Sequence, residues 1–158
     1  MKEFDILWYA MRIPYSRELL FKKHLDSIAV ENFVPMHYQI VEKNGTRARK
    51  LVPVIHNLIF VRSSKKIIDE IKSKVEYKIP SRYIMDKGER RPMIVPDKQM
   101  ENFITVAKIY DEKTVYLDPI EAKLKKGDKV RIIEGPLTGV EGEFLRIKGD
   151  RRVLVSID

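Results

Sequence analysis

The chain has 158 residues, 44% of them hydrophobic and 34% charged, with a formal net charge of +8 and no cysteine. That length allows one domain or two small ones with a real core. The lack of cysteine excludes disulfide scaffolds, thiolate metal sites and cysteine nucleophiles.

No apolar run approaches the roughly 18 residues that a bilayer-spanning helix needs. Acids in Met1-Lys2-Glu3-Phe4-Asp5 do not suit a secretory leader. A cytoplasmic protein without membrane contact is expected. Residues 5–12 are predicted as a strand with Trp8 central, and 16–30 as a helix. Ser16 reads as the helix N-cap, Glu18 favours its positive end, and Phe21, Leu25, Ile28 and Ala29 share a face. Two strands, 34–42 and 51–62, flank Lys43-Asn44-Gly45-Thr46, where Asn-Gly is a strong hairpin signal. Ser63-Ser64 precede a second helix with Ile67, Ile68, Ile71 and Val75 at helical spacing. Residues 77–85 and 92–95 are weaker strand candidates around Asp86-Lys87-Gly88. Pro96-Asp97 cap a third helix that directs Met100, Phe103, Ile104 and Ala107 inward.

Residues 111–122, acidic and proline-containing, read as a linker. Beyond them Gly127-Asp128 is a turn opening onto Val130, Ile132 and Glu134, a half-buried strand. Gly135-Pro136 begins a second tight turn, and Gly139 and Gly142 flank the next strand. Three short strands within about thirty residues imply a small twisted barrel. The expected fold class is α+β: an antiparallel sheet packed by helices over 1–110, the linker, and a small SH3-like β-barrel over 123–158.

Enzyme chemistry finds no support. His24, His37 and His56 lack metal-ligand spacing, and no G-x-S-x-G, Walker A or G-x-G-x-x-G run occurs. Neither a metal nor a cofactor is expected. Charge points to binding instead. Residues 1–110 hold 21 Lys/Arg against 13 Asp/Glu, the whole excess, whereas 111–158 hold 10 of each. A basic domain suits a polyanion through counterion release. The best basic cluster surrounds the Asn-Gly turn, with Lys43, Arg47, Arg49 and Lys50 placed to reach a phosphate backbone. A second set, Arg12, Arg17, Lys22, Lys23 and His24, lies at the end of the first strand and along the first helix, with Tyr15 as the nearby aromatic.

Several segments resemble a known family in order and spacing. They are Leu7-Trp8-Tyr9-Ala10-Met11-Arg12, the helix from Ser16-Arg17-Glu18, Asn32-Phe33-Val34-Pro35, and Pro53-Val54-Ile55-His56-Asn57-Leu58-Ile59-Phe60-Val61. Together they resemble the N-terminal domain of NusG transcription factors, whose signature ends in P-L-F-P-G-Y-V-F-V. The run Gly127 to Phe144 resembles the KOW motif that follows it. The KOW barrel of that family has five strands, so the stop at Val153-Leu154-Val155-Ser156-Ile157-Asp158 leads to the expectation of an incomplete barrel.

The resemblance implies a transcription elongation or antitermination factor that binds RNA polymerase, bridging the β′ clamp helices and the β subunit. It places the clamp-helix contact on Arg12, Ile13 and Tyr15 and on Ile55, His56, Asn57 and Leu58. Here Ile55 replaces the family's aromatic, His56-Asn57 its Pro-Gly, and Leu58 its Tyr. These departures suggest a specialised paralogue of the RfaH or UpxY type. In such members Arg17, Lys22, Lys23 and His24 would meet the single-stranded non-template DNA, and the barrel would recruit a ribosomal protein or Rho. The alternative is a KOW-type RNA- or ribosome-binding protein, for which a basic barrel would be expected; the balanced charge of 111–158 argues against it.

Overall fold

Apolar residues alternate along strand β1 (Ile6–Arg12) so that Leu7, Tyr9 and Met11 share one face with Ile13 just beyond. Trp8 and Ala10, on the other face, are buried as well. A strand buried on both faces belongs at the centre of a sheet, and β1 has three partners there. It pairs antiparallel with β5 (Leu58–Ser64), β6 (Arg82–Tyr83) and β9 (Ile94–Val95). The short β2 (Glu31–Phe33) completes the sheet on the far side of β5. Register sets Tyr9 beside Val61 and Met11 beside Ile59, so the two central strands present one apolar face. Helices α1 (Glu18–Ser27) and α2 (Lys65–Ser73) fill that face with Phe21, Leu25, Ile68 and Ile71.

The computed structural model describes residues 3–74, 79–86, 88–108, 129–131, 141–147 and 150–154. Residues 1–97 form one unit and 98–158 a second.

Helix α1 departs from the sequence expectation at both ends. It begins at Glu18, because Tyr15 and Ser16 adopt φ of 62° and 53°, and Ser16 caps nothing. Its last turn closes at Ser27. The Ala29 N–H donates to the Asp26 carbonyl and the Val30 N–H to the Leu25 carbonyl, a Schellman ending with Ala29 at φ 57°. Ile28 is thereby turned outward, not into the expected face. Helix α2 starts as expected, with the Ser64 hydroxyl accepting from the Ile67 N–H at 3.2 Å. Ile67 itself is exposed, and Val75 lies outside the described residues.

The segment expected as one strand over 51–62 is two. Strand β4 (Thr46–Pro53) pairs with β3 (Met36–Lys43) as a separate two-stranded sheet, and β5 begins only after a break at residues 54–57. Asn44 and Gly45, at φ 55° and 76°, make the expected two-residue turn. Farther along, the weak strand candidates resolve into β6 and β9 on either side of a small hairpin of β7 (Met85–Asp86) and β8 (Arg91–Pro92). Residues 77 and 78 of the first candidate, and Lys87 of its loop, lie outside the described residues.

A polar staple fixes α2 to the sheet. The Asp69 carboxylate accepts from the Tyr83 hydroxyl and from the Lys65 ammonium, each at 2.7 Å. The Tyr83 ring stands 5.4 Å from that of Tyr9. Burial, reinforced by the bond to Asp69, pushes the Tyr83 phenol well above its ordinary value. Burial opposes ionisation of Asp69, but the bonds from Lys65 and Tyr83 outweigh it and hold the carboxyl below its ordinary range. The same Asp69 bond raises the Lys65 ammonium.

Helix α3 (Asp97–Ala107) starts on the last residue of the first unit and continues as the start of the second; in it Met100 and Ala107 are buried while Phe103 and Ile104 are half-buried. The second unit also has an antiparallel sheet in the order β10 (Lys129–Arg131), β11 (Glu141–Ile147), β12 (Asp150–Leu154). Gly142 stands inside β11 opposite Val130, not beside the strand as its spacing suggested. The linker 111–122 and the turn residues Gly127, Gly135, Pro136 and Gly139 lie outside the described residues.

Candidate functional site

The break at residues 54–57 between β4 and β5 is built around Asn57. The Val54 N–H donates to the Pro35 carbonyl at 2.9 Å, which shuts the base of the hairpin. Asn57 then takes φ 68°, a left-handed backbone that asparagine tolerates better than most residues. Its carbonyl accepts from the Ile13 N–H at 2.9 Å, and its N–H donates to the Glu18 carboxylate at 3.1 Å. Its side-chain oxygen accepts from the Ser16 N–H at 2.8 Å. One residue thus clasps the end of β1, the turn before α1 and the first residue of α1. Glu18 is buried, so its role here is to receive this clasp rather than only to face the helix's positive end.

Two consecutive non-glycine residues in the left-handed region, Tyr15 and Ser16, store strain of about 1–3 kcal/mol each, which only a surrounding structure can hold. The clasp supplies that restraint. Tyr15 is left 79% exposed with the Arg17 guanidinium 5.7 Å from its ring centre. Ile55, on the loop tied to the same turn, is 45% exposed.

Among the residues predicted for the clamp-helix contact, Arg12, Tyr15, Ile55 and His56 are exposed, and Asn57 and Leu58 are half-buried. Ile13 does not fit the prediction. It is fully buried because it continues the inward period of Tyr9 and Met11, so it supports the turn from beneath and cannot touch a partner.

The basic residues divide more sharply than their sequence positions suggest. Lys22 turns inward, 3.4 Å from Asp26 and 3.0 Å from the Asn32 side-chain oxygen, joining α1 to β2. His24 is half-buried, while Arg17 and Lys23 are exposed. On the hairpin, register sets Arg47 opposite Glu42 and Arg49 opposite Ile40, whereas Lys50 faces Gln39 and Lys43 faces Thr46. Alternation along the strands therefore puts Arg47 and Arg49 on one face with Tyr38, and Lys43 and Lys50 on the other. Arg47 bonds Glu42 at 3.0 Å, and the Arg49 guanidinium lies 5.6 Å from the Tyr38 ring centre.

Sequence reasoning missed Tyr38 and the inward role of Glu18. The first was within reach: once Asn44-Gly45 is taken as a two-residue turn, counting outward pairs Tyr38 with Leu51 and sets its face. The second was not, since a glutamate at a helix start reads as a dipole partner. Among the described residues no group of three or more His, Asp or Glu side chains could hold a metal ion, and no helix is long and apolar enough to cross a membrane.

Comparison with known proteins agrees with this architecture. The NusG family, described as transcription termination factor nusG, matches residues 7–104, more than half of the chain. No curated protein matches. The matched span runs from β1 into α3 and includes the clasp, the hairpin and the staple. NusG proteins are non-enzymatic transcription elongation and termination factors that bind RNA polymerase. The chain belongs to the NusG family.

Proposed function

We propose that this protein binds RNA polymerase at the β′ clamp helices and suppresses pausing or termination, as a specialised paralogue of the RfaH or UpxY type. The observation that carries the reading is the clasp. It presents an exposed isoleucine, Ile55, and an exposed aromatic, Tyr15, from two loops locked by Asn57. Strain held at an exposed apolar turn is characteristic of a preorganised contact. Leu58 and His56 border it, and Arg12 supplies a charge at its rim. Occupying both the clamp and the β subunit shifts the polymerase toward its closed, unpaused state through differential affinity alone.

Arg17, just before α1, and Lys23 and His24 on it face the non-template strand in this reading, and the hairpin residues Lys43, Arg47, Arg49 and Lys50 contact nucleic acid phosphates. Lys22 contributes less because Asp26 and Asn32 already hold it. The division into 1–110, a linker over 111–122 and a KOW barrel over 123–158 belongs to the same proposal. So does recruitment of a ribosomal protein or Rho by that barrel.

The deciding experiment is binding of the full chain to purified elongation complexes, with a β′ clamp-helix fragment as competitor. Wild-type binding should be abolished by the fragment. Ile55→Asp should weaken it at least tenfold, because a carboxylate carried into an apolar depression loses roughly 2 kcal/mol or more. A well-folded Ile55→Asp protein that binds as tightly as the wild type removes the contact from this loop.

A further inference from the structure

The hairpin of β3 and β4 is a two-stranded ribbon whose outer portion is exposed on both faces, yet the faces differ in chemistry. One carries Tyr38, Ile40, Arg47 and Arg49; the other carries His37, Gln39, Lys43 and Lys50. Both arginines thus fall beside the aromatic, and both lysines fall away from it. Tyr38 is 45% exposed and Ile40 68% exposed, on a ribbon with only one carboxylate, Glu42, against four cations.

We propose that the Tyr38 face of this hairpin binds the unpaired bases of a single-stranded nucleic acid. Tyr38 is the stacking surface, Ile40 extends its apolar area, and Arg47 and Arg49 take the adjacent phosphates. This rests on the nucleic-acid reading of the hairpin given above and adds the class of ligand.

Four observations support it. The Arg49 guanidinium stands 5.6 Å from the Tyr38 ring centre, an arrangement in which two planar groups hold each other ready for a third. Arg47 is held by an exposed ion pair with Glu42, the kind of contact that gives way readily to a phosphate. The net charge of the ribbon matches a polyanion. A paired duplex hides the π-faces of its bases, so an exposed tyrosine and isoleucine find contacts on splayed bases that they cannot find on a helix. The lysine face, lacking an aromatic, can offer phosphates only point charges.

The test uses the full chain and fluorescence anisotropy with three probes: a short single-stranded DNA of mixed sequence, an abasic strand of equal length, and the matching duplex. The base-bearing strand should bind most tightly. Tyr38→Ala should weaken that strand about tenfold, in the range that stacking on one aromatic provides, and leave the abasic strand unchanged. Tyr38→Trp should retain binding, and circular dichroism of each variant should match the wild type.

Equal binding of all three probes, unaffected by Tyr38→Ala, overturns the inference and leaves a phosphate grip in place. No binding to any probe, combined with loss of polymerase binding in Tyr38→Ala, overturns it in favour of a protein surface. Neither result touches the clamp-helix contact, which Ile55→Asp reports separately.

Discussion

Asn57 commits its carbonyl, its N–H and its side chain to three different partners, Ile13, Glu18 and Ser16. Its substitutions should therefore separate backbone conformation from side-chain bonding. Asn57→Gly keeps the left-handed φ and both main-chain bonds but loses the acceptor for Ser16, at a cost of about 1 kcal/mol. Asn57→Ala loses the same acceptor and adds left-handed strain, for about 2 kcal/mol in all. Urea unfolding of the two variants checks the order, and an alanine variant as stable as the glycine one contradicts it. At this scale the sequence was half legible. The match of Asn57 to a family glycine pointed to its backbone, and φ 68° agrees. The turn at Tyr15 and Ser16 was hidden, because serine followed by an acid reads as a helix cap and only the remote Asn57 makes the strained alternative favourable.

The staple between α2 and the sheet predicts how the first unit responds to pH. Tyr83 has a raised pKa in the fold, so its contribution is fully present below the ordinary phenol value of 10.0 and is lost as pH rises toward the folded value. Asp69 has a lowered pKa, so its contribution is present above the ordinary 3.8 and is lost as pH falls through the folded value. Stability should accordingly hold between about pH 4 and pH 10 and decline on both sides. Tyr83→Phe should lower the urea midpoint at neutral pH, at a cost of about 1 kcal/mol for the lost bond, and flatten the decline above pH 10. An unchanged alkaline slope in Tyr83→Phe assigns that decline to other groups. Elements with a strong local signal were readable in advance: β1 from its short apolar run around Trp8-Tyr9, the hairpin from Asn44-Gly45, α2 from its Ser64 cap. The separation of β4 from β5 was not. Residues 51–62 are one apolar run, and the break comes from bonds to Pro35, Glu18 and Ser16 that no local pattern encodes.

Across the whole molecule the positive excess belongs to residues 1–110, while 111–158 balance. Salt dependence of nucleic-acid binding should then arise from the first part of the chain. Replacing Arg47, Arg49 and Lys50 together with glutamine should reduce the slope of log affinity against log salt by about 2, at roughly 0.7 per lost single-strand phosphate contact. An unchanged slope removes the hairpin from the nucleic-acid path. The hairpin also has a consequence for how such a protein changes over generations. Its register is fixed only by the turn at Asn44-Gly45 and the closure at Pro35 and Val54, and the core lies below that closure. Insertions near the tip therefore leave the core untouched but obey a parity rule. Two residues added to each arm extend its reach by about 7 Å with every side chain on its original face. One residue added to each arm between the Tyr38–Leu51 and Ile40–Arg49 pairs exchanges the faces of everything beyond the insertion, so that Arg49 leaves Tyr38 for the opposite side. Length in this arm is free to vary only in even steps, and an odd step is a change of ligand.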